Sequence, residues 1–410
     1  MTTAVDDDAA ARMAAFIRDP YPTLARIREA GAVSVVEFGE GLPVYLVTRY
    51  QDVRAALTDP RFGQDVRRSQ AIASGRGAGL TLGSEVVHML NSDPPDHTRL
   101  RRLIQGVFTR RRVDEMRPLV ERTADGLLDG LRGRGTADLI TDFAFPLPIM
   151  VICELLGFPP EDMQAFRTWS TAILTQGGDL SFAQATEELN DYLRELMAAR
   201  RTSPKADILT DLVQARDAGE LTEREVFSMV FLLLIGGHET TVNLLGTATL
   251  ALLHHPDQLA LLRADPASMP VAVDEFLRYE SPVSMATLRF TNADVTVDDV
   301  EIPADELVLL SLGAANRDPA RFTDPDRLLL DRGDPGHLAF GQGLHRCLGS
   351  FLGRLESEVA LTGLLSRFTR IELAAAEETL PWRNTIMLRG LESRAVWLDW
   401  DRPRPPVRRA

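Results

Sequence analysis

Residues 340 to 356 read FGQGLHRCLGSFLGRLE, and the fold of the chain turns on what this stretch is for. It places Cys347, one of two cysteines in 410 residues, two positions after His345 and among glycines at 341, 343 and 349. Glycines at that density mark a backbone that turns tightly or lies close to something. A structural cysteine sits instead in an apolar helix or strand, where it behaves as a small hydrophobe. Cys153, within IMVICELLGFP, is of that second kind. Two cysteines so unlike in setting do not suggest a disulfide framework.

The rest of the chain sets the frame. With 45% hydrophobic and 25% charged residues, no low-complexity tract, no internal repeat and no Gly/Ser-rich or Pro-rich linker, it reads as one large domain over 1–410. The acidic start MTTAVDDDAAARM lacks a basic region and an apolar run, so no signal peptide is expected. The most apolar stretch, MVFLLLI at 229–235, is too short to cross a bilayer, which predicts a cytoplasmic protein with no membrane partner. A net charge of −14 argues against nucleic acid as a partner, because phosphate binding needs a basic surface. One segment runs against that charge: HTRLRRLIQGVFTRRR, 97–112, holds arginines at 99, 101, 102, 110, 111 and 112 and no acid. A charge run of this kind usually reads as a solvated helical face.

Near the start, AVSVVEF and PVYLV are β-branched runs separated by GEGL, a hairpin pattern. Apolar residues at three- and four-residue spacing then predict helices at YQDVRAAL, from Arg112 to Leu131, and at EELNDYLRELMAARR, SMPVAVDEFLRYE and Arg224 to about His255. Strand character returns at VTVDDVEIPADELVLL (295–310), with a Pro-Ala-Asp turn, and at RAVWL (394–398). The fold class is therefore mainly α with small, scattered sheets.

The Arg224 helix would run roughly 45 Å at 1.5 Å per residue, and its apolar circumference before Gly236 marks it as buried. At its centre comes GGHETT, 236–241. Adjacent glycines cost about 1 kcal/mol each inside a helix, which close helix packing or a functional opening would offset. Glu239, Thr240 and Thr241 put polar groups into its most buried stretch, where an unpartnered carboxylate is costly. His238-Glu239 also begins a His-Glu-x-x-His zinc signature, but Val242 stands where the second histidine must be.

Taken together, FGQGLHRCLG, GGHETT, EFLR (275–278) and PDRL (325–328) resemble the cysteine loop, the oxygen-activating helix, the Glu-x-x-Arg motif and the later arginine segment of the cytochrome P-450 family, in that family's order. DPPDHTRLRR (93–102) resembles its early helix, and VICELLG (151–157) also fits. Gly353 and Gly236 stand where the family usually has alanine, and Leu328 where it has an aromatic. The pattern is most like actinobacterial members that tailor polyketides, macrolides or related natural products.

The resemblance implies haem b held between the long central helix and the cysteine loop, with Cys347 as the metal ligand. A thiolate ligand pushes electron density onto iron and favours O–O cleavage, and a helix N-terminus favours the anion. It further implies that Phe340, Gly341, Gly349 and Gly236 lie against the macrocycle and that its propionates meet His97, Arg101, Arg289 and His345, residue types that make charge-assisted bonds to carboxylates. Thr240 would hydrogen-bond oxygen or water at the distal face and Glu239 would relay protons, with the glycines allowing the helix to widen. Glu275, Arg278 and Arg327 would form a buried network holding the cysteine loop.

The implied reaction is O2-dependent hydroxylation or epoxidation of a bulky, mostly apolar small molecule. Electrons would come from NAD(P)H through ferredoxin reductase and ferredoxin, docked on the basic face with Arg346 and Arg354. Pocket walls would include Leu234, Val283, Met285, Ala286, Ile386 and Met387. The glycine-rich 75–83 would form a mobile lid. Two alternatives stand beside this reading: a hydrogen-peroxide-driven peroxygenase, which does not need the Glu-Thr pair, and a haem gas sensor, which would carry an output domain.

Overall fold

The structure, a computed structural model, describes residues 3–39, 41–78, 86–174, 180–334, 336–374 and 376–400. Helices dominate, and three small sheets sit at the periphery of the largest core cluster. The hairpin forms as predicted: β1 (Val33–Phe38) and β2 (Leu42–Val47) pair antiparallel from Val33↔Val47 to Phe38↔Leu42, with Gly39 and Gly41 at φ of 40° and 77° in the turn. They belong to a five-stranded sheet ordered β1-β2-β8-β5-β3, with β3 at Phe62–Gly63, β5 at Arg289–Thr291 and β8 at Leu307–Leu310. A second sheet joins β4 (Thr136–Asp138), β10 (Ala395–Trp400) and β9 (Phe368–Leu373).

The 295–310 run is divided between two sheets. Its first part folds on itself as β6 (Val295–Val297) and β7 (Val300–Ile302), with Asp298 at φ 55° in the turn. The Pro-Ala-Asp turn, with Asp305 at φ 61°, then carries the chain to β8 in the large sheet. The single helix expected from Arg112 to Leu131 is two, Arg110–Glu115 and Arg117–Gly130. Pro118 starts the second, because a proline cannot supply the N–H that would continue the first.

The central helix runs Glu223–His254, capped by Thr222, whose hydroxyl accepts from the Glu225 N–H while the Glu225 carboxylate accepts from Thr222 N–H at 2.8 Å. Among the described residues it is the one helix long and apolar enough to cross a membrane, and 67% of its most apolar window is buried under other elements, as in a core helix. It packs on the helix Pro146–Leu156. A Cβ on Gly237 would sit 2.9 Å from Ile152 Cγ1 of that helix, so glycine there permits the close approach, and one on Gly246 would sit 2.7 Å from the Cδ1 end of Ile140, in the preceding segment Ile140–Ala144.

Behind the cysteine loop lies the helix Met269–Tyr279. Its Glu275 and Arg278 are nearly fully buried and doubly bonded, Nε to Oε2 at 2.7 Å and a terminal nitrogen to Oε1 at 2.8 Å. The second arginine of this network is not Arg327 but Arg332, whose Nε lies 3.1 Å from Glu275 Oε2. Arg327 projects into solvent toward Asp324 and gives the network only its backbone carbonyl, 3.0 Å from Arg278. A second carboxylate on the same helix, Asp274, holds the loop directly by accepting from His337 at 3.1 Å and Arg354 at 2.8 Å.

Candidate functional site

The cysteine loop is a set of tight turns. Gly341 N–H donates to Leu338 O, Arg346 N–H to Gly343 O and Cys347 N–H to Phe340 O at 2.8 Å. Gly341 and Gly343 have φ of 65° and 73°, and a Cβ on Gly343 would be 2.8 Å from Leu57 O, so glycine is needed at both. Phe340 is pinned from behind by the Arg354 guanidinium, 4.5 Å from its ring centre. A Cβ on Gly349 would meet nothing within 4 Å, which leaves the floor in front of the cysteine flat.

Cys347 has open surface although it lies deep in the chain. Burial pushes its thiol up, while the Gly349 N–H and the cations Arg101, Arg354 and Arg346 favour the thiolate. A bound metal cation completes that balance, because a coordinated thiol is deprotonated. Cys153 is 1% exposed and its thiol is pushed up to about 12 by burial alone, so it has no thiolate to offer.

Two arginines and two histidines converge beside the loop. The His97 and His345 rings are 4.4 Å apart. Burial first, then His97, Arg289 and Arg101, lower His345 to about 3, and His97 is held down by burial and Arg101. Arg289 is lowered to about 10 by burial and donates to Phe62 O at 3.1 Å, while Arg101 donates to Arg346 O. Yet both ring nitrogens of His97 and the Nε of Arg289 are buried without a partner. Orphaned buried donors call for an anion. Two carboxylates on the edge of a flat prosthetic group, set over Gly349 and the Cys347 sulfur, fit these residues.

Above this space lies the centre of the central helix. Gly236 is exposed in an otherwise buried helix, and a Cβ there would meet only Leu232 Cδ1 at 3.9 Å. Thr240, one turn on, shares that face and is half-buried. The helix is α-helical through 236–241, so the expected widening is not present. Instead the Thr240 hydroxyl donates to Gly236 O at 3.3 Å. Glu239 is 2% exposed and raised by burial, against the pull of Arg383 and Asn243. Arg383 approaches its Oε1 to 2.9 Å. Thr241 donates to Glu356 of the cysteine helix Ser350–Arg367 at 3.1 Å, and Glu356 is pushed up to about 8 by burial.

Not every expected residue faces this space. Leu234 lies in a different cavity, enclosed with Ile149, Phe166, Trp169, Ser170 and His238. Two residues along a helix turn the side chain about 200° from Gly236, and Leu232 is the leucine on the Gly236 face. Met285 and Ala286 are buried in the core clusters beside the large sheet, while Val283, Ile386 and Met387 keep surface. The two wall segments are joined by Val283↔Leu388 pairing and by Ser284 N–H to Met387 O at 2.9 Å. The lid expected over 75–83 lies outside the described residues from 79 onward, and Gly75 ends the helix Val66–Gly75.

Of the arginines in 97–112, Arg99 is tied to Glu225 and Arg101 is turned toward Arg346. Arg102, Arg110, Arg111 and Arg112 are exposed, the last three beside Asp114 and Glu115. Exposed Leu344 and Phe351 flank Cys347 in sequence. Sequence reasoning missed Arg383, Arg332, Asp274 and Glu356. Arg383 alone carried a signal, since it stands three residues before the expected wall residue Ile386.

A cysteine sulfur before a glycine-floored space, with unpartnered His97 and Arg289 nitrogens at its edge and an acid-alcohol pair on the central helix, fits a haem-thiolate protein. The cytochrome P450 family model matches residues 161–389. Cytochrome P450 107B1 of Saccharopolyspora erythraea is 47% identical over 97% of this chain and 99% of that protein. The polyketide biosynthesis cytochrome P450 PksS of Bacillus subtilis is 40% identical over 94% and 97%. The tirandamycin C-bound P450 monooxygenase TamI superposes with a TM-score of 0.85 at 43% identity, covering 94% of this chain and 98% of that one. The chain belongs to the cytochrome P450 family and is a P450 monooxygenase, and that family binds haem b through a cysteine thiolate.

Proposed function

We propose that this monooxygenase, acting as a single domain over 1–410 in the bacterial cytoplasm, hydroxylates or epoxidises a bulky, mostly apolar, polyketide-like natural product. We also propose ferredoxin and its reductase as the route for electrons from NAD(P)H. The observation that carries the reading is the pairing of Cys347 with orphaned donors on His97 and Arg289, opposite Glu239 and Thr240. The substrate class is supported by the names of PksS and of TamI with its tirandamycin C, together with the apolar surfaces of Val283, Ile386 and Met387.

When bound, haem supplies a redox-active iron that activates dioxygen. Cys347 would ligate it, while His97, Arg101, Arg289 and His345 would hold its carboxylates. The Thr240 hydroxyl donates to Gly236 O in this structure and, by rotating, can hold water or a proton on the open face. Glu239, one residue before, keeps a carboxylate within the helix as the next proton carrier. The exposed Arg102, Leu344, Phe351 and Arg346 offer an acidic electron donor a charged rim around apolar contact.

The test is the reduced carbon monoxide spectrum: Cys347→Ser should lose the thiolate signature and Cys153→Ser should keep it. A Cys347→Ser protein with an intact thiolate spectrum sinks the ligand assignment. Reduction by ferredoxin should slow as ionic strength rises, since exposed charges are screened over about 8 Å at physiological salt.

A further inference from the structure

We propose that Arg383 is a positioning residue for Glu239, clamping the acid from the same hairpin that carries the pocket wall. The inference rests on the monooxygenase reading, in which Glu239 moves protons. Arg383 lies in the segment 381–392, which folds back on itself through Trp382↔Leu391 pairing, Arg383 N–H to Gly390 O at 3.0 Å and Glu392 N–H to Pro381 O at 2.9 Å. The base of this hairpin is pressed onto the central helix. A Cβ on Gly390 would lie 2.0 Å from Asn243 Oδ1, so any side chain at 390 would lift the hairpin away.

Asn243 is one turn beyond Glu239 on the same face and donates to its Oε1 at 3.4 Å. Arg383 reaches that oxygen at 2.9 Å, with 15% of its own side chain exposed against 2% for Glu239. The tip of the hairpin carries Ile386 and Met387, and Met387 O is bonded to Ser284 of the opposite wall. Contact at the tip and the geometry of the acid therefore belong to one hairpin.

The other titratable group facing Glu239 is His238, whose Nε2 is 3.9 Å from Oε2. It is 0% exposed, held by Ser170 at 2.9 Å and by Leu234 O, and lowered to about 4 by burial, so it is neutral at physiological pH. Arg383 is thus the cation that opposes burial at Glu239. Without it, burial would drive the carboxyl to its protonated form, in which it cannot accept a proton.

The experiment uses the haem-loaded protein and reads Glu239 directly. The infrared band of its protonated carboxyl is identified by its loss in Glu239→Gln and followed against pH in wild type, Arg383→Gln and Arg383→Lys. Arg383→Gln should move the titration upward by on the order of 1–3 pH units, and Arg383→Lys should restore most of it. A titration unchanged in Arg383→Gln overturns the proposal.

Denaturant stability supplies the second measurement, and Arg383→Met stands in should Arg383→Gln fail to fold. The loss caused by replacing Arg383 should shrink in a Glu239→Gln background. An equal loss in both backgrounds makes the arginine a packing group and also overturns the proposal. The reduced carbon monoxide spectrum is recorded on every sample. Its absence from wild type would refute the haem-thiolate reading, whereas its presence beside an unmoved titration would refute the Arg383 assignment alone.

Discussion

Replacing Arg332 should destabilise the protein, whereas replacing Arg327, the arginine inside the recognisable motif, should not. Arg332 Nε reaches both oxygens of Glu275 at 3.1 and 3.2 Å, and its terminal nitrogens reach Thr323 O, Asp324 O and Arg327 O at 2.5, 3.1 and 3.2 Å. Its side chain is 9% exposed and that of Glu275 3%. A charge-assisted bond at a buried carboxylate contributes about 1.5–3 kcal/mol, and each bond to a carbonyl about 0.5–1.5 kcal/mol where water cannot replace it. The three carbonyls lie in a partly open turn, so water recovers part of their loss.

Arg278 and the Leu329 N–H, at 2.7 to 3.0 Å, remain on Glu275 and prevent the full cost of an unpaired buried charge. The expected loss for Arg332→Met is therefore about 2–4 kcal/mol. Arg327 is 69% exposed and 3.6 Å from Asp324, a solvent-screened pair whose removal by Arg327→Met should leave stability unchanged. The assay is urea denaturation of the holoprotein, followed by tryptophan fluorescence and by the haem band, with Glu275→Gln completing a double-mutant cycle. Equal losses at 327 and 332, or coupling of Glu275 to 327 and not to 332, would refute the reasoning.

Three further outcomes follow from the same geometry. Gly237→Ala should destabilise by about 1–2 kcal/mol, because overpacking against Ile152 at 2.9 Å exceeds the helix-propensity gain, while Gly236→Ala, with only a 3.9 Å neighbour, should stabilise by up to about 1 kcal/mol; denaturant midpoints separate the two. Glu356, with a folded pKa of about 8 against an ordinary 4.5, binds more protons folded than unfolded, so its contribution is complete below pH 4.5 and is lost as pH rises toward 8, at up to about 1.4 kcal/mol per pH unit. Glu356→Gln should flatten that fall in a stability-versus-pH series. Thr240→Ala should lower the ratio of product to NADPH consumed and raise released peroxide, and Glu239→Gln should slow oxygen consumption with a larger solvent isotope effect, each by no more than about 10²- to 10⁴-fold.

What could be read from the sequence was what contiguous residues determine. The cysteine loop announces itself through glycines whose positive φ is a local property, and the central helix through an apolar circumference. Contacts between distant segments leave no such trace. Glu239 was visible as a buried carboxylate in need of a partner, but nothing near it names Arg383. Arg327 was chosen because it occupies the motif. The turn at Asp324, with φ of 47°, sends its side chain outward and its carbonyl inward, and Arg332 closes the network from five residues further on. Leu234 was expected on the pocket wall because the resemblance implies that its segment lines the pocket, but within such a segment periodicity alone leaves the facing direction of one residue open until another fixes the phase.

The glycine pair shows how one short motif can carry two constraints. Close packing and a functional opening stood as rival explanations for Gly236-Gly237; close packing holds for Gly237, while Gly236 has space beside it. Gly237 lets Ile152 pack against the helix backbone, so the helix sits close to Pro146–Leu156 at this point. Gly236, about 100° round the helix, borders open space, and the helix stays α-helical through both. The room on that face therefore comes from a missing side chain and not from a distorted backbone. Alanine at 236 would consume some of that room without touching the fold, and alanine at 353 would also fit, since a Cβ there is 3.8 Å from Thr241 Oγ1. Of the departures from the family pattern at 236 and 353, the one at 353 thus faces the Thr241–Glu356 contact that joins the two helices, the one at 236 borders open space, and neither removes a reactive group.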